Sequence, residues 1–258
     1  MKVFDAYSEY YDLIYATKDY VAETAYVDGL IKKYAPSSHS VLELGCGTGL
    51  HAGLLAHSGY SVDGIDQSDT MLVRANERKA AMPAGIGAKL SFSKGDIRSY
   101  RINKKYDAVI SLFHVMSYMN SDEDLMFAFL TAARHLNAGG IFIFDCWHGP
   151  AVLKDQPTSR TRNFENANIL VNRVSHPQMF PEKNIVDVKF DIQVTDKKSE
   201  TDTRLEETHS MRYLFIEEIK NLCQQANLEL IRAEEWMSHK ELSDENWNAC
   251  YVCRKKGE

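Results

Sequence analysis

A glycine-rich turn directly after an apolar run constrains the fold more than any other feature of this sequence. The run Val41-Leu42-Glu43-Leu44 leads into Gly45-Cys46-Gly47-Thr48-Gly49, so three glycines stand at alternate positions. Glycine has no Cβ atom, which permits unusual backbone angles and close approach of a ligand to the main chain. Leu50, Leu54 and Leu55 follow with helical spacing. The pattern predicts a strand, a binding loop, and a helix whose first N–H groups face a ligand.

Carboxylates recur at the ends of successive predicted strands. Glu43 stands in the first strand, a second apolar strand ends at Asp66, and a third leads into Asp96. Residues 40–145 alternate between strand and helix patterns, which predicts right-handed crossovers and helices on both faces of a parallel sheet. Because parallel strands end at the same edge, we expect the three carboxylates along one rim of that sheet.

Two kinds of ligand use a loop of this type. A dinucleotide-binding loop has the pattern G-x-G-x-x-G/A, which Gly47 to Ala52 matches literally. That match favours a nicotinamide or flavin oxidoreductase. A dinucleotide site, however, does not explain why carboxylates stand at the ends of the strands, at Glu43 and Asp96. S-adenosylmethionine (SAM) accounts for the carboxylates, because it carries an ammonium group, a ribose diol and an adenine amine, and has no phosphate to repel them.

The motifs resemble those of the class I SAM-dependent methyltransferases. Glu43 to Gly49 is similar to their first motif, Asp66 to the acidic residue that binds the ribose hydroxyls, and Asp96 to the carboxylate that accepts from the adenine amine. The resemblance implies an α/β fold with a Rossmann-like, doubly wound, seven-stranded sheet, mostly parallel with an antiparallel last strand. The SAM-binding residues that it implies are Tyr11, Glu43, Gly45, Gly47, Gly49, His51, Asp66, Gln67, Asp96, Ile97 and Leu112.

The pattern changes after the fifth predicted strand, which stops at Asp145. Apolar residues alternate with polar ones from Val186 to Val194, which is typical of a strand with one buried face. With residues 168–174 and 203–213, this strand predicts an inserted antiparallel platform of three strands, at about residues 146–213. We expect a single methyltransferase domain over residues 1–258, in which residues 1–34 form a helical cap and the platform binds the substrate.

Residues near the predicted strand ends are candidates for catalysis. His114 follows the fourth strand and could act as a general base, which is needed only if the acceptor carries a proton when it binds. Tyr11 and Tyr15 are neighbours on a helix and could fold over SAM, where a ring would cover the sulfonium and a phenol would bind the substrate. We therefore assign His114 and Tyr15 to catalysis.

The wider layout resembles the N-methyltransferases of nucleotide-linked aminosugars. The similar segments are Tyr11-Asp12-x-x-Tyr15, Lys18-Asp19-Tyr20, Asp145 to Pro150 and Asn172 to His176. The resemblance implies an amine acceptor on a nucleoside-diphosphate sugar, whose phosphates guanidinium groups could bind. The substrate-binding residues that we expect are Tyr15, Tyr118, Trp147, Arg173, His176 and Arg212, and His209 is a further pocket candidate.

Several alternatives stay open at this point. An O-methyltransferase or another amine N-methyltransferase would share the same topology, and so would a protein that binds SAM without catalysis. The formal net charge of −6 gives no electrostatic reason to expect nucleic acid as a partner. No His, Asp and Glu cluster has convincing metal-ligand spacing, so we expect no metal.

Composition and cysteine usage bear on the cellular setting. The chain has 258 residues, of which 44% are apolar, enough for a substantial core. No apolar run reaches membrane-spanning length and the N-terminus lacks a signal-peptide pattern, so we expect a cytoplasmic monomer or homodimer with no membrane partner. The five cysteines are expected as free thiols. Cys250 and Cys253, three apart in a strand pattern, should point to opposite faces.

Overall fold

Eleven strands form the sheets of the described chain, which comprises residue 10 and residues 13–257 of the computed structural model. In chain order they are β1 (Ser40–Leu44), β2 (Ser61–Asp66), β3 (Leu90–Lys94), β4 (Tyr106–Ser111), β5 (Leu136–His148), β6 (Arg160–Glu165), β7 (Ile169–Phe180), β8 (Ile185–Asp196), β9 (Thr201–Leu214), β10 (Leu228–Glu235) and β11 (Asn248–Lys255).

Seven of these strands make the central sheet, in the order β3-β2-β1-β4-β5-β11-β10. Strand β1 pairs in parallel with β2 on one side and β4 on the other, so that Leu42 lies opposite Asp63 and Val109. Strand β11 runs antiparallel to β5. Strand order reverses between β1 and β4, and an open α/β sheet binds its ligands at the carboxyl ends of strands at such a point. The predicted Rossmann-like sheet with an antiparallel last strand is confirmed.

Helices cover both faces of the central sheet. Neighbouring residues of β5 belong to different cores, since Phe142 packs with Phe129 on one face and Ile143 packs with Leu55 on the other. Cys253 lies in the first core and Cys250 in the second, on opposite faces as the strand pattern predicts. The helices are α1 (Tyr20–Tyr34), α2 (Leu50–His57), α3 (Asp69–Ala81), α4 (Ala84–Gly87), α5 (Asp122–His135), α6 (Gly149–Lys154) and α7 (Ile216–Gln225). None of these described helices combines the length and apolar character needed to cross a membrane.

The platform consists of β6 to β9, which pair antiparallel in the order β9-β8-β7-β6. The end of β9 also pairs in parallel with the end of β5, Trp147 opposite Tyr213, which anchors the platform to the central sheet. The sequence predicted three of these four strands. Strand β6 was missed because Arg160 to Glu165 is almost entirely exposed and lacks the apolar alternation that marks a half-buried strand.

The N-terminal segment, residues 13–19, crosses from the platform to the central sheet. Ile14 packs against Val171, Ile192 and Val194 of the platform. The sequence predicted a helical cap over residues 1–34, but residues 15–17 form a turn and α1 begins at Tyr20. The carboxylate of Asp19 accepts from the N–H of Ala22 at 2.9 Å and caps this new helix, which explains the break.

Candidate active site

A cavity of about 550 Å³ opens at the carboxyl edge of the central sheet. Its walls come from the glycine loop, the ends of β2 and β4, the N-terminal segment and the platform. The residues predicted from sequence that line it are Tyr15, Glu43, Gly45, Gly47, His51, Asp66, Gln67, Ile97, Leu112, His114, Tyr118 and Trp147. His209, the further pocket candidate, also lines it. The platform adds Val188, Phe190 and Met211 beside His209, so the insertion forms one wall of the cavity.

The glycine loop leaves space for a ligand at one specific position. Gly47 has φ of 52°, a region that residues with side chains rarely adopt, and a Cβ built on it would meet no atom within 4 Å. A Cβ on Gly45 would lie 2.7 Å from the side chain of Val115, and one on Gly49 would lie 2.8 Å from Phe92. Gly45 and Gly49 thus allow protein side chains to pack closely against the loop, whereas the space beside Gly47 is open to a ligand.

Asp66 ties the glycine loop to the end of β2. Its Oδ2 accepts from the N–H of Gly47 at 2.9 Å and its Oδ1 from the N–H of Ser68 at 2.9 Å. Burial raises the pKa of Asp66, although these backbone donors oppose the shift. The carboxylate lies in the cavity wall beside Gln67, where it can accept from two adjacent hydroxyl groups while it still holds the loop.

Glu43 is enclosed at the end of β1. It is 1% exposed, and its Oε2 has no hydrogen-bond partner among the described residues. Burial, with the negative charge of Asp66 as a second cause, raises the pKa of Glu43 to about 8. His51 Nδ1 lies 3.8 Å from Glu43 Oε1. A positively charged group in the cavity would stabilise the ionised form of this carboxyl group and give it the partner that it lacks.

A chain of charged residues tethers the N-terminal segment to the start of α2. His51 Nε2 lies 2.9 Å from Glu23 Oε2, and the same carboxylate binds Lys18. Although burial acts to raise it, the pKa of Glu23 is below its ordinary value because His51 and Lys18 hydrogen-bond the carboxylate. Lys18 Nζ lies 4.6 Å from the ring centroid of Tyr20 and 4.5 Å from that of Phe113. This network holds the segment over the cavity.

The carboxylate of Asp96 is engaged inside the protein. It accepts from the backbone N–H of Arg98 at 2.9 Å and from its Nη2 at 2.6 Å, and Arg98 reaches on to Asp124 at 2.9 Å. The side-chain bonds from Arg98 lower the pKa of Asp96. Ile97 and Arg98 line the cavity, whereas Asp96 does not. An adenine amine bonded to Asp96 would therefore have to share the carboxylate with Arg98.

His114 stands in a strained loop after β4. Phe113 and His114 have φ of 65° and 62°. Positive φ values are uncommon for residues with side chains, and such strained conformations occur often at functional sites. The N–H of His114 donates to both oxygens of Asp145, at 3.2 and 3.1 Å. His114 Nδ1 lies 2.7 Å from Asp145 Oδ2, outside the angle of a hydrogen bond. Asp145, itself 1% exposed, thereby fixes both the loop and the ring.

A chain of three side chains crosses from the loop after β4 to the platform. The Tyr118 hydroxyl lies 2.7 Å from His209 Nδ1, and His209 Nε2 lies 3.2 Å from Glu207 Oε2. Glu207 and His209 are both buried. Burial, with Tyr15 and Glu207 as further causes, raises the pKa of Tyr118 well above its usual value, so the phenol keeps its proton.

A second cavity, of about 320 Å³, adjoins the first. Tyr15, Phe113 and His114 line both cavities. The guanidinium carbon of Arg173 lies 4.8 Å from the ring centroid of Phe190, a contact that restrains the plane of the group. The charged residues in the walls of the second cavity are the cations Lys18, Arg162 and Arg173 and the carboxylates Glu23 and Asp145. Lys18 pairs with Glu23, whereas Arg162 and Arg173 place two guanidinium groups on the platform side. That side of the cavity suits an anion with several oxygen atoms.

Two predicted substrate-binding residues lie outside both cavities. His176 is 49% exposed and pairs with Asp191 at 3.2 Å. Arg212 is buried and pairs with Asp122 at 2.6 Å and with Glu218, so it fastens β9 to α5 and α7. Met211 lines the first cavity, and the next residue of a strand points to the opposite face, which explains why Arg212 turns away. We leave both residues out of the proposed site. Tyr11 lies outside the described residues.

Sequence reasoning gave no role to Asp145 or Glu207. Asp145 had a signal, because it is a carboxylate at the end of β5, the strand that pairs with β4 beside His114. Glu207 and His209 stand two apart in β9, so their side chains lie on the same face of the strand. The sequence of β9 does not reveal whether that face or the opposite one meets the cavity. Within the part of the chain that the structure describes, no three His, Cys, Asp or Glu residues are grouped to hold a metal ion.

Known proteins resemble this chain in sequence and in fold. Residues 41–140 match the family model of a methyltransferase domain. A dTDP-3-amino-3,4,6-trideoxy-alpha-D-glucopyranose N,N-dimethyltransferase of Streptomyces venezuelae is 30% identical over 58% of this chain, and the match spans 60% of that relative, less than two thirds. A dTDP-3-amino-3,6-dideoxy-alpha-D-glucopyranose N,N-dimethyltransferase of Streptomyces fradiae is 27% identical over 78% of this chain and 75% of its own. The structure of a SAM-dependent methyltransferase from Clostridium acetobutylicum has a TM-score of 0.81 at 22% identity, over 96% of each chain.

The residues of the first cavity fit SAM in three respects. Gly47 leaves open space beside the loop, Glu43 has a buried oxygen that lacks a described partner, and Asp66 presents a carboxylate in the wall. These features suit a ligand with an ammonium group and a ribose diol and without a phosphate. Residues 41–140, which match the family model of a methyltransferase domain, supply most of the walls of this cavity.

Proposed function

We propose that this protein transfers methyl groups from SAM to the amine of a nucleotide-linked aminosugar. The single observation that supports it most is the pair of arginines, Arg162 and Arg173, in the platform wall of the second cavity, which shares Tyr15, Phe113 and His114 with the first. A reaction between SAM and a nucleotide sugar needs a place for a diphosphate next to the methyl group. The two curated relatives described above are dTDP-aminosugar dimethyltransferases by name.

In this proposal the first cavity holds SAM. Asp66 would bind the ribose hydroxyls, and Gly47 would let SAM approach the main chain of the loop, of which Gly45 also lines the cavity. Glu43 and His51 would lie at the ammonium end. Gln67, Ile97 and Leu112 would form the remaining contacts from the cavity walls. Bound SAM supplies a methyl group on a positively charged sulfur, which a neutral amine can attack directly. The protein's main contribution is then to hold the acceptor nitrogen in line with that methyl group.

The second cavity would hold the diphosphate of the acceptor. Arg173 is restrained against Phe190 at 4.8 Å, and Arg162 lies on the neighbouring strand directly opposite Arg173. Lys18, in the facing wall, is paired with Glu23, so the two arginines are the proposed diphosphate ligands. Guanidinium groups can bind phosphate oxygens through two parallel hydrogen bonds. With the diphosphate here, the sugar would pass Tyr15 and His114 into the first cavity.

His114 would hold the acceptor at the junction of the two cavities. Its Nδ1 faces Asp145 at 2.7 Å, which leaves Nε2 as the ring atom available to a substrate. Tyr15 stands across from it, with its ring edge-to-face with Phe113 at 4.9 Å. Tyr118 and Trp147 line the same cavity and would contact the sugar. We propose residues 1–34 as a cap and residues 146–213 as the substrate-binding insertion of a single catalytic domain.

The cysteines support a reducing compartment, and we propose the cytoplasm. All five are buried free thiols, and the sulfur atoms of Cys223 and Cys253 lie 3.1 Å apart without a disulfide bond. Pairs of this kind oxidise readily outside the cell interior.

The test is turnover of matched acceptors. Purified protein would be incubated with SAM and either dTDP-3-amino-3,6-dideoxyglucose or its 3-hydroxy counterpart, and products would be identified by mass. We expect the amine to gain one or two methyl groups with formation of S-adenosylhomocysteine, and the hydroxyl compound to remain unchanged. Methylation of the hydroxyl compound alone would establish an O-methyltransferase instead, and SAM binding without any turnover would indicate a non-catalytic protein.

A further inference from the structure

Helix α5 presents two large apolar side chains to solvent. Phe127 is 41% exposed and Leu130 is 38% exposed, and residues three apart are neighbours on a helix surface. The buried face of α5 packs in the core through Leu125 and Phe129, so the fold does not need this second apolar face. Among the described residues, the other large exposed apolar side chains are Val21, Val73, Ile102, Leu153, Leu170 and Met237. Each of these lies in a different helix, strand or loop, so the pair on α5 stands apart from them.

Opposite charges stand at the two ends of the same face. Glu123 precedes Phe127 by four residues and Arg134 follows Leu130 by four, and both charged residues are exposed. Spacings of four, three and four residues keep all four side chains in one row along the helix. We call this row the α5 stripe. An acid in the first turn and a base in the last turn also suit the helix dipole, but the dipole does not explain the apolar pair between them.

The α5 stripe is complementary to itself. Because the two outer spacings are equal, the apolar pair and the charged pair share one midpoint along the helix. A two-fold axis through that midpoint, perpendicular to α5, sets two copies of the helix antiparallel. Phe127 of one copy then meets Leu130 of the other, and Glu123 meets Arg134. A two-fold interface uses the same patch on both subunits and must satisfy this condition.

We infer that the α5 stripe is the contact surface of a homodimer, in which two copies of this chain pair through antiparallel α5 helices. The inference goes beyond the proposed function and does not depend on it. Helix α5 has 14 residues and is therefore about 21 Å long. A helix pair of this length buries less than the roughly 800 Å² per partner of a standard interface. The dimer is accordingly weak, and its population depends on protein concentration.

Charge reversal tests the antiparallel pairing. Glu123→Arg brings two guanidinium groups together at each end of the helix pair, and Arg134→Glu brings two carboxylates together there. Sedimentation velocity over a concentration series measures the dissociation constant. We expect either variant alone to weaken the dimer about tenfold or more, because like charges face each other. An equimolar mixture of the two variants should associate as wild type, since every charged contact in the mixed dimer joins opposite charges.

Two further variants test the same surface. The combined variant Glu123→Arg with Arg134→Glu should recover the wild-type dissociation constant, because each exchanged charge again meets its opposite. Leu130→Gln keeps a good helix former but removes the apolar contact, so it should weaken the dimer. The matched control is Glu77→Arg, a charge reversal at an exposed glutamate of α3, which should associate as wild type.

Thermal unfolding of each variant verifies that it is folded. A wild-type protein that stays monomeric at every concentration it reaches would overturn the proposal and leave this face to a different partner. A dimer that both charge reversals leave unchanged would place the interface elsewhere on the molecule. Weakened association that the mixture does not repair would exclude the antiparallel pairing of Glu123 with Arg134.

Discussion

Asp145 holds His114 through two separate contacts, one to its backbone and one to its ring. The N–H of His114 donates to both carboxylate oxygens, at 3.2 and 3.1 Å, while Nδ1 lies 2.7 Å from Oδ2. The backbone contact stabilises a left-handed conformation that costs energy at a residue with a side chain. Two adjacent strand ends, β4 and β5, thus combine to place one ring at the junction of the two cavities.

We expect His114→Asn to lower methyl transfer by about ten- to a hundredfold when the acceptor is an amine, because orientation is lost while proximity remains. Asparagine tolerates the left-handed backbone, so the loop should survive. The measurement is single-turnover transfer across pH, with His57→Asn as control, since His57 lies outside both cavities. An unchanged rate and pH profile would exclude His114. A hydroxyl acceptor that depends on this base would instead lose about a hundred- to ten-thousandfold.

Asp66→Ala should weaken SAM binding by roughly ten- to a hundredfold, because the ribose hydroxyls would lose a charged acceptor and Gly47 would lose its bond to Oδ2. Calorimetric titration with SAM measures the change. Asp63→Ala is a matched control on the same strand, since Asp63 binds Lys104 and Tyr106 at 2.6 Å and lines neither cavity. Equal SAM affinity in folded Asp66→Ala and wild type would remove Asp66 from the site.

Most of the residues predicted for the SAM side line one cavity, because their positions depend on local chemistry. A strand end, a glycine turn and a carboxylate lie within a few residues of one another, and the parallel sheet then aligns them at one edge. Of the ten predicted SAM-site residues that the structure describes, eight line the cavity. The other two, Gly49 and Asp96, make contacts within the protein.

The acceptor side was harder to predict because it depends on how the platform folds back. In β9, His209 and Met211 face the cavity, while Arg212 faces α5 and α7, and a strand pattern alone does not tell which face meets the domain. His176 on β7 lies outside both cavities, and its strand pattern likewise does not tell which face meets the domain. The role of Asp145 depends on the pairing of β4 with β5, which is a property of the fold rather than of neighbouring residues.

Gly47→Val should abolish SAM binding and leave the protein folded. The new side chain would enter the open space beside the loop and would oppose a φ of 52°. SAM titration and thermal unfolding would be compared with Gly29→Ala, a control in α1 where an added Cβ also meets no atom within 4 Å. Binding of SAM at wild-type strength by the Gly47 variant would show that the ligand does not approach this glycine.

Arg173→Met should raise the KM for an aminosugar nucleotide by about ten- to a hundredfold, with little change in kcat and in SAM affinity, because the diphosphate would lose a bidentate partner. Methionine retains apolar contact with Phe190. The control is Arg204→Met, an exposed arginine of the same platform that lines neither cavity. An unaffected KM in the Arg173 variant would place the diphosphate elsewhere.

Glu43 should make the stability of the SAM-free protein fall as pH rises. Its pKa is raised by burial from 4.5 to about 8, so between these values the folded chain keeps a proton that the unfolded chain has released. The free energy of unfolding therefore decreases through this window and levels off above about pH 8. Glu43→Gln cannot release that proton, so its stability relative to wild type should rise by up to roughly 1.4 kcal/mol per pH unit.

Urea unfolding at several pH values, without SAM, measures this difference, and Glu229→Gln serves as the control because Glu229 is exposed. Saturating SAM should flatten the wild-type dependence, because a nearby ammonium group favours the ionised carboxylate and lowers its pKa. Parallel stability curves for Glu43→Gln and wild type would mean that Glu43 is already ionised in the folded protein. The ammonium group of SAM would then bind a preformed charge, and its binding would release no proton from this residue.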